Sequence, residues 1–174
     1  MPVETDLQGR VVVVTGAARG MGRAMVRGFL AEGTKVVAMD LSWDPTGFSG
    51  DDDDTFLKEL QERQADVLVS TVDISDLQAV EDTYQATIEK FGTVDVLVNN
   101  AGYVTPQRFA QTGPDDWHAQ IDVGLYGVIH CCHAAVKHLA ASGDGRIISL
   151  AGDSARVGEK GLSITAASRG GVLA

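Results

Sequence analysis

Short runs of apolar, mostly β-branched residues alternate along the chain with segments whose apolar positions recur at helical spacing. The first run, RVVVVT at residues 10–15, ends in a glycine cluster, and its unbroken apolar content is typical of a parallel strand covered on both faces. Four further runs predict strands at residues 35–40, 65–73, 94–100 and 146–150. Helical spacing predicts helices at residues 21–32, 76–91 and 115–141.

Strands that are separated by helices imply right-handed crossovers and therefore an α/β fold, here a Rossmann-like doubly wound parallel sheet. The length of 174 residues, with 44% hydrophobic content, predicts a single domain over residues 1–174. One compositional break, SWDPTGFSGDDDD at residues 42–54, indicates an acidic loop insertion. Its four carboxylates, Asp51 to Asp54, predict a solvated turn, with a cation site as the alternative.

The charge balance limits the classes of partner. Twenty-four acidic and 14 basic residues give a net charge of -10, which argues against nucleic acid and against an anionic membrane surface. The start of the chain has no basic region followed by an apolar core, and no stretch reaches the roughly 18 apolar residues of a membrane span. We therefore expect a cytoplasmic protein.

Cys131 and Cys132 are adjacent and provide neither a disulfide framework nor a metal quartet, so no metal site is predicted.

The strongest chemical signal is TGAARGMG at residues 15–22, between the first strand and the first helix. Gly16 permits a tight turn, Gly20 lets the backbone approach a pyrophosphate, and Gly22 allows close packing of the helix, whose amino end attracts anions. Asp40 ends the next predicted strand, where a carboxylate can accept hydrogen bonds from the hydroxyls of an adenosine ribose. The pattern predicts a dinucleotide site.

With these residues the chain resembles the short-chain dehydrogenase/reductase family. TGAARGMG matches the family's TGxxxGxG, NNAG stands whole at residues 99–102, and VDISD at residues 72–76 matches the family's adenine-side segment. The resemblance implies that Asp73 and Ile74 flank the adenine and that Asn99 braces the sheet. It implies a cofactor site made of Gly16, Arg19, Gly20, Met21, Gly22, Asp40, Asp73, Ile74, Asn100, Ala101, Gly102 and Arg169.

Two residues give conflicting indications of the cofactor. Arg19 could meet a 2′-phosphate, as a basic residue in that loop does in NADP-dependent relatives, whereas Asp40 would repel the same phosphate at close range. The carboxylate should dominate, because Arg19 also has a harmless role as a solvated loop charge. NAD is the expected cofactor and NADP the less favoured one.

The residues that carry the family's chemistry are substituted. TAASRGG at residues 165–171 is similar to the family's YAASKAG, which puts Thr165 at the Tyr position and Arg169 at the Lys position. The resemblance also places Gly152 at the family's Ser position and Gly124 at its Asn position. A Thr hydroxyl is far less acidic than a phenol, and Arg does not deprotonate, so a proton relay is not expected. Ser154 and Ser163 are the candidate substitutes.

The resemblance leaves three hypotheses. The first is an NAD(H)-linked oxidoreductase by descent, acting on an alcohol or a carbonyl substrate with weak or absent turnover. The second is a non-catalytic, cofactor-binding subunit of a hetero-oligomer with an active relative. The third is a non-redox enzyme on the same fold, suggested by Arg169 because halohydrin dehalogenases carry Arg there; those enzymes keep the Tyr and lack the glycine loop.

The family also implies how the chain assembles. In relatives the long helix and the helix that begins near Ser163 form the subunit interface, so we expect a homo- or hetero-oligomer. Relatives continue past the position of Ala174 through the rest of that helix, a further strand and a substrate-covering segment. The expected sheet is therefore truncated after the fifth strand and the start of the next helix, which leaves residues 146–150 as an exposed apolar edge.

Overall fold

Five parallel strands form one sheet in the computed structural model, which describes residues 5–44 and 55–174. With the strands numbered β1 to β5 along the chain, at the residues given below, their order across the sheet is β3-β2-β1-β4-β5. This order confirms the predicted doubly wound α/β fold. All four neighbouring pairs are parallel, as the crossover helices require. The strands are β1 (Val11–Thr15), β2 (Lys35–Asp40), β3 (Val67–Thr71), β4 (Val96–Asn99) and β5 (Arg146–Ser149).

Helices connect the strands and cover both faces of the sheet. The longer helices are α1 (Gly20–Ala31), α3 (Leu77–Phe91), α5 (Gly127–Ser142) and α7 (Ser163–Leu173). The shorter ones are α2 (Thr55–Glu62), α4 (Pro114–Ile121) and α6 (Ser154–Val157), with a 3₁₀ turn at Phe109–Gln111. Between α4 and α5 the chain continues through a π-helical turn at Asp122–Tyr126, so the predicted long helix is present with one wide turn inside it.

Two hydrophobic clusters explain why the strands read as unbroken apolar runs. On one face, Val11 and Val13 pack with residues of α3 and α5; on the other, Val12 and Val14 pack with residues of α1 and α2. All four valines are at most 1% exposed, because alternate side chains of each strand point to opposite, covered faces.

The edge of the sheet at β5 is less covered. Ile147 and Ile148 are 45% and 50% exposed, as expected for an apolar edge strand. The acidic run Asp51 to Asp54 lies outside the described residues. Within 5–44 and 55–174, no helix combines the length and the apolar character that a transmembrane segment requires.

Candidate functional site

The topology places one cleft at the carboxyl ends of the strands. β1 connects to β2 on one side while β4 lies on its other side, so the strand order reverses between β1 and β4. Ligands of open α/β sheets bind at such a reversal. The loop between β1 and α1 and the segment after β4 both lie at this point, and they contain the predicted glycine loop and the NNAG segment.

The glycine loop is packed closely against the segment after β4. Gly16 has a φ of +67°, and a Cβ there would lie 2.9 Å from both the Ala101 Cα and the Asn100 Nδ2. A Cβ at Gly22 would overlap the Gly16 carbonyl oxygen. Gly20 differs, because a Cβ there would meet no atom within 4 Å although its φ is +51°. Two of the glycines are thus required by packing, and the third faces open space.

Asn100 holds the glycine loop with its side chain. Its Nδ2 donates to the carbonyl oxygens of Thr15 and Gly16, at 2.9 and 3.1 Å. The Thr15 Oγ1 accepts the backbone N–H groups of Asn100 and Ala101, both at 3.1 Å. The resemblance implied that Asn100 lines the cofactor; in the structure its amide joins β1 to β4, and Thr15, which the sequence interpretation did not single out, is its partner.

Asp40 is fixed against the same loop. The residue is 8% exposed, and its Oδ2 accepts a hydrogen bond from the Ala18 N–H at 2.8 Å. Its Oδ1 accepts from the Ser42 N–H at 3.3 Å. Both carboxylate oxygens are thus held by backbone N–H groups. Arg19 is the N-cap residue of α1, and Met21 follows in its first turn with a largely exposed side chain.

The segment after β3 lies beside Asp40. The Val72 N–H donates to the Asp40 carbonyl oxygen at 2.8 Å, which places Asp73 and Ile74 next to the end of β2. The Asp73 Oδ1 accepts from the backbone N–H and the hydroxyl of Ser75, at 2.9 and 2.7 Å, which closes a tight turn. Ile74 is buried. The predicted adenine-side residues are therefore close to the predicted ribose acceptor.

Asn99 braces the sheet as the resemblance implied. Its Nδ2 donates to the Ser149 Oγ at 3.1 Å, which joins β4 to β5, and lies 3.4 Å from the Cys132 Sγ on α5. The side chain is 2% exposed.

The Thr165 hydroxyl is engaged inside the fold. The residue is buried, and its Oγ1 donates to the Gln120 Oε1 at 2.5 Å, so the hydroxyl joins α7 to α4. Gln120 is also buried. This pair was not predicted, because its members are separated by 45 positions in the sequence. The hydroxyl that stands at the predicted Tyr position is used inside the fold.

Arg169 lies under the segment after β4. Its Nη2 donates to the Ala101 carbonyl oxygen at 2.9 Å and its Nη1 to that of Gly124 at 3.5 Å. A Cβ at Gly102 would overlap Nη2, so a larger residue there would displace the guanidinium. Burial lowers the pKa of Arg169 from its ordinary value. In the described part of the chain no carboxylate forms an ion pair with Arg169.

Gly124 lies in the π-helical turn and faces α7. A Cβ at this position would overlap the Ser168 Oγ, which is buried and has no hydrogen-bond partner. π-Helical turns of this kind are frequent at functional sites. The Ser168 hydroxyl therefore takes up the space into which a side chain at position 124 would extend.

The two serines predicted as substitutes are in different environments. A Cβ at Gly152 would lie 3.3 Å from the Ser154 Oγ, and Ser154 is buried at the start of α6. Ser163 begins α7 and is exposed to solvent. Ser154 alone of the two brings a hydroxyl next to the predicted Ser position.

The adjacent cysteines, Cys131 and Cys132, belong to no metal-binding group in the described part of the chain. Among residues 5–44 and 55–174, no group of three or more His, Cys, Asp and Glu side chains is arranged to hold a metal ion. Burial, with a smaller contribution from Cys132, raises the pKa of Cys131 to about 12, so this thiol is protonated at neutral pH.

The strand order and the glycine loop define an α/β protein of the Rossmann type. The family described as "short chain dehydrogenase" matches residues 10–174, and the chain belongs to this family.

Relatives and solved structures agree with this assignment. The chain is 37% identical over 153 residues to fluoren-9-ol dehydrogenase of Terrabacter sp., covering 83% of this chain and 41% of the relative. It is 35% identical over 164 residues to meso-2,3-butanediol dehydrogenase of Serratia marcescens, covering 94% of this chain and 61% of the relative. The chain thus spans about two fifths to three fifths of the length of these relatives.

Two solved structures show the same fold. A short-chain dehydrogenase/reductase described as glucose/ribitol dehydrogenase, from Brucella melitensis, superposes with a TM-score of 0.80 at 30% identity, covering 94% of this chain and 65% of that one. Carveol dehydrogenase from Mycobacterium avium, solved in complex with NAD, gives a TM-score of 0.83 at 24% identity, covering 95% and 62%.

Proposed function

We propose that this chain binds a nicotinamide dinucleotide in the cleft at the switch point and prefers NAD(H) to NADP(H). The observation that carries the proposal is the bond between the Asp40 carboxylate and the Ala18 N–H, which joins the predicted ribose acceptor to the glycine loop. A carboxylate fixed there can accept both hydroxyls of an unmodified ribose and repels a 2′-phosphate. A protein of the same fold, the carveol dehydrogenase, was solved in complex with NAD.

The residues of the cleft fit such a cofactor. The open space beside Gly20 borders the amino end of α1, whose first turn has no acidic residue and offers unpaired backbone N–H groups to a pyrophosphate. Arg169 uses two of the five N–H donors of a guanidinium on carbonyl oxygens, so donors remain for the hydroxyls of the nicotinamide ribose. When bound, the nicotinamide ring exchanges a hydride with an alcohol or a carbonyl carbon.

The proposed contacts follow the predicted site. The phosphates would be held by the glycine loop and the residues within it, the adenosine by the ends of β2 and β3, and the nicotinamide half by the segment after β4. In chain order these residues are Gly16, Arg19, Gly20, Met21, Gly22, Asp40, Asp73, Ile74, Asn100, Ala101, Gly102 and Arg169.

We propose a small secondary alcohol or the corresponding ketone as the substrate class, because two relatives are named as dehydrogenases of fluoren-9-ol and of meso-2,3-butanediol. We further propose that turnover is weak or absent. The Thr165 hydroxyl donates a hydrogen bond to Gln120 inside the fold, so its hydrogen is already engaged, and a Thr hydroxyl is a poor acid at neutral pH. Gly124 and Gly152 supply no side chain, and Arg169 does not release its proton.

Ser154 is the residue through which a weak activity would act. Its hydroxyl lies 3.3 Å from the position that a Cβ at Gly152 would take, and it can hydrogen bond a carbonyl oxygen without exchanging a proton. Such a contact orients a substrate and leaves the proton to be supplied by water.

A non-catalytic, cofactor-binding subunit is the second candidate. The outer face of α5 favours it, because Tyr126, Ile129 and Val136 are each about half exposed there and offer an apolar surface to another subunit. Such a subunit would bind the dinucleotide and complete a hetero-oligomer with an active member of the family.

Binding and turnover must be measured separately. Titration of the full chain with NADH and NADPH should show binding with NADH preferred, whereas a folded sample that binds neither would overturn the proposal. On a panel of secondary alcohols and ketones, rates should stay near background, because the loss of a positioned acid or base costs about two to four orders of magnitude. The Ser154→Ala variant should remove any residual rate, and the Ser163→Ala variant is its matched control.

Rapid turnover by the unaltered chain would refute the proposal that its turnover is weak or absent. A variant that combines Thr165→Tyr and Arg169→Lys with Gly152→Ser and Gly124→Asn tests the same point from the other direction. It should gain activity over the unaltered chain, provided that the Ser168 hydroxyl rotates away from position 124. An inactive chain that raises the rate of an active relative on mixing would favour the subunit hypothesis.

A further inference from the structure

Helix α5 holds the main chain of the adenine-side segment at one residue, Ile74. The His130 Nδ1 lies 2.9 Å from the Ile74 carbonyl oxygen. One turn earlier on the same helix face, a Cβ at Gly127 would lie 2.5 Å from the Ile74 Cδ1 and 2.7 Å from its Cγ1. Ile74 is therefore fixed twice, by a hydrogen bond to its backbone and by close packing of its side chain.

The geometry determines which ring nitrogen of His130 carries a proton. A carbonyl oxygen only accepts hydrogen bonds, so the Nδ1 that faces it must be the donor, in the neutral and in the charged imidazole alike. The ring of Tyr126, one turn earlier, lies at a centroid distance of 6.1 Å with an interplanar angle of 36° and limits the rotation of the imidazole. The hydrogen bond is thus preorganised.

The position of Ile74 matters because of its neighbours. Two residues before it, the Val72 N–H donates to the Asp40 carbonyl oxygen, so the segment adjoins the end of β2 where the adenosine ribose is proposed to bind. Asp73 uses its side chain to bond Ser75, within the same segment. The contacts from α5 therefore set how far Ile74 stands from the adenosine side of the cleft.

We propose that His130 is a positioning residue for the adenine half of the dinucleotide, acting through the main chain of Ile74. The proposal rests on the proposed function, because it assigns a role within that cofactor site. A residue that acts in this way changes the affinity for adenosine-containing ligands and leaves the affinity for the nicotinamide half unchanged.

The test compares two substitutions of His130 on the full chain. His130→Leu keeps a side chain of similar size and removes the hydrogen-bond donor. His130→Asn keeps an N–H donor near the position of Nδ1. His133→Leu is the matched control, because His133 lies on the same helix with its side chain exposed. Dissociation constants are measured for NADH, for ADP-ribose and for reduced nicotinamide mononucleotide, with thermal melting and light scattering on each sample.

The expected loss for His130→Leu is about two- to tenfold in affinity, the value of one hydrogen bond, and equal for NADH and ADP-ribose. The affinity for reduced nicotinamide mononucleotide should not change, and His130→Asn and His133→Leu should both remain near the unaltered chain. Unchanged ADP-ribose affinity in a folded His130→Leu variant, or an equal loss in His133→Leu, would overturn this inference alone. Failure of the unaltered chain to bind ADP-ribose or NADH would overturn the proposed function and the inference with it.

A second variant keeps the test decisive if His130→Leu does not fold. Gly127→Ala favours the helix by propensity and displaces the Ile74 side chain through its new Cβ. It should reduce ADP-ribose affinity without affecting reduced nicotinamide mononucleotide. If Gly127→Ala binds each ligand as tightly as the unaltered chain does, the position of Ile74 does not affect binding of the adenine half, and the inference is wrong.

Discussion

The Asp40→Asn substitution separates the charge of this residue from its structural contacts. In the structure the Asp40 Oδ2 accepts the Ala18 N–H at 2.8 Å, and both residues are buried. An Asn side chain keeps an oxygen for this N–H and gives up only the longer bond from the Ser42 N–H, at 3.3 Å. Asp40→Ala instead leaves the Ala18 N–H buried and unpaired, which costs about 1–3 kcal/mol of stability. The Asn variant is therefore the sharper probe of cofactor choice.

The two dinucleotides should respond in opposite directions. Two like unit charges about 4 Å apart repel by about 1 kcal/mol in bulk water and about 4 kcal/mol at an effective dielectric constant of 20. With about 1.4 kcal/mol for each tenfold change, the Asp40 charge disfavours a 2′-phosphate by about fivefold to several hundredfold. Asp40→Asn should remove this penalty for NADPH and weaken NADH binding, because the carboxylate's bonds to ribose hydroxyls are charge-assisted.

Fluorescence titration with NADH and NADPH at one fixed ionic strength measures both effects. Asp66→Asn is the matched control: it removes the same charge from an exposed residue just before β3, at the amino ends of the strands, whereas Asp40 lies at a carboxyl end. The affinity for NADPH should rise and the affinity for NADH should fall in Asp40→Asn, and neither should change in Asp66→Asn. A parallel fall of both affinities, or an equal change in Asp66→Asn, would refute the electrostatic argument.

Two further predictions concern assembly and the cysteines. We expect a dimer or a larger oligomer through α4, α5 and α7, so Ile129→Glu with Val136→Glu should give monomers in light scattering; a monomeric unaltered chain at micromolar concentration would contradict this. Because burial raises the pKa of Cys131 from 9.0 to about 12, iodoacetamide should not label it at pH 8 in a folded Cys132→Ser variant, and rapid labelling would count against its burial. The native state retains this proton more strongly than the unfolded chain, so its contribution to stability is complete below about pH 9 and is lost as the pH rises towards 12.

The pattern of apolar residues was sufficient to predict the sheet. Every predicted strand is present, and β2 has the predicted bounds. The predicted strand at residues 65–73 is shorter in the structure, Val67–Thr71, because its partner β2 pairs with it only over Val36–Asp40. Local sequence specifies which residues are apolar, whereas strand ends depend on where the partner strand stops.

Helix α2 shows a local signal that the sequence interpretation did not use. Phe56 and Leu60 are four positions apart and both are buried in the core. The guanidinium groups of Arg23 and Arg27 each lie 5.0 Å from the centre of the Phe56 ring and hold α2 against α1. The spacing was visible in the sequence, but the two arginines come from a distant helix, and their contribution follows only from the fold.

The candidate site was predictable as a set of positions and not as a set of contacts. The glycine loop and the end of β2 meet as the motifs implied. The side chain of Asn100 instead bonds the glycine loop, and Thr165 bonds Gln120, because each is paired with a group far away in sequence. Motifs place residues at strand ends, whereas the direction of a side chain depends on such long-range partners.

The same contacts show that the glycine loop is part of the packing of the fold, and its glycines separate this role from the proposed binding of the phosphates. A Cβ at Gly22 overlaps the Gly16 carbonyl oxygen, so Gly22→Ala should destabilise the fold and lower the melting temperature. A Cβ at Gly20 meets no atom within 4 Å, so Gly20→Ala lowers stability only through the strain of an Ala in the left-handed backbone region, about 1–2 kcal/mol. The new methyl group lies in the space proposed for the phosphates.

Gly20→Ala should therefore remain folded and lose affinity for NADH and ADP-ribose alike. If a folded Gly20→Ala variant binds ADP-ribose as tightly as the unaltered chain, the loop is retained for packing alone, and the proposed pyrophosphate site is wrong.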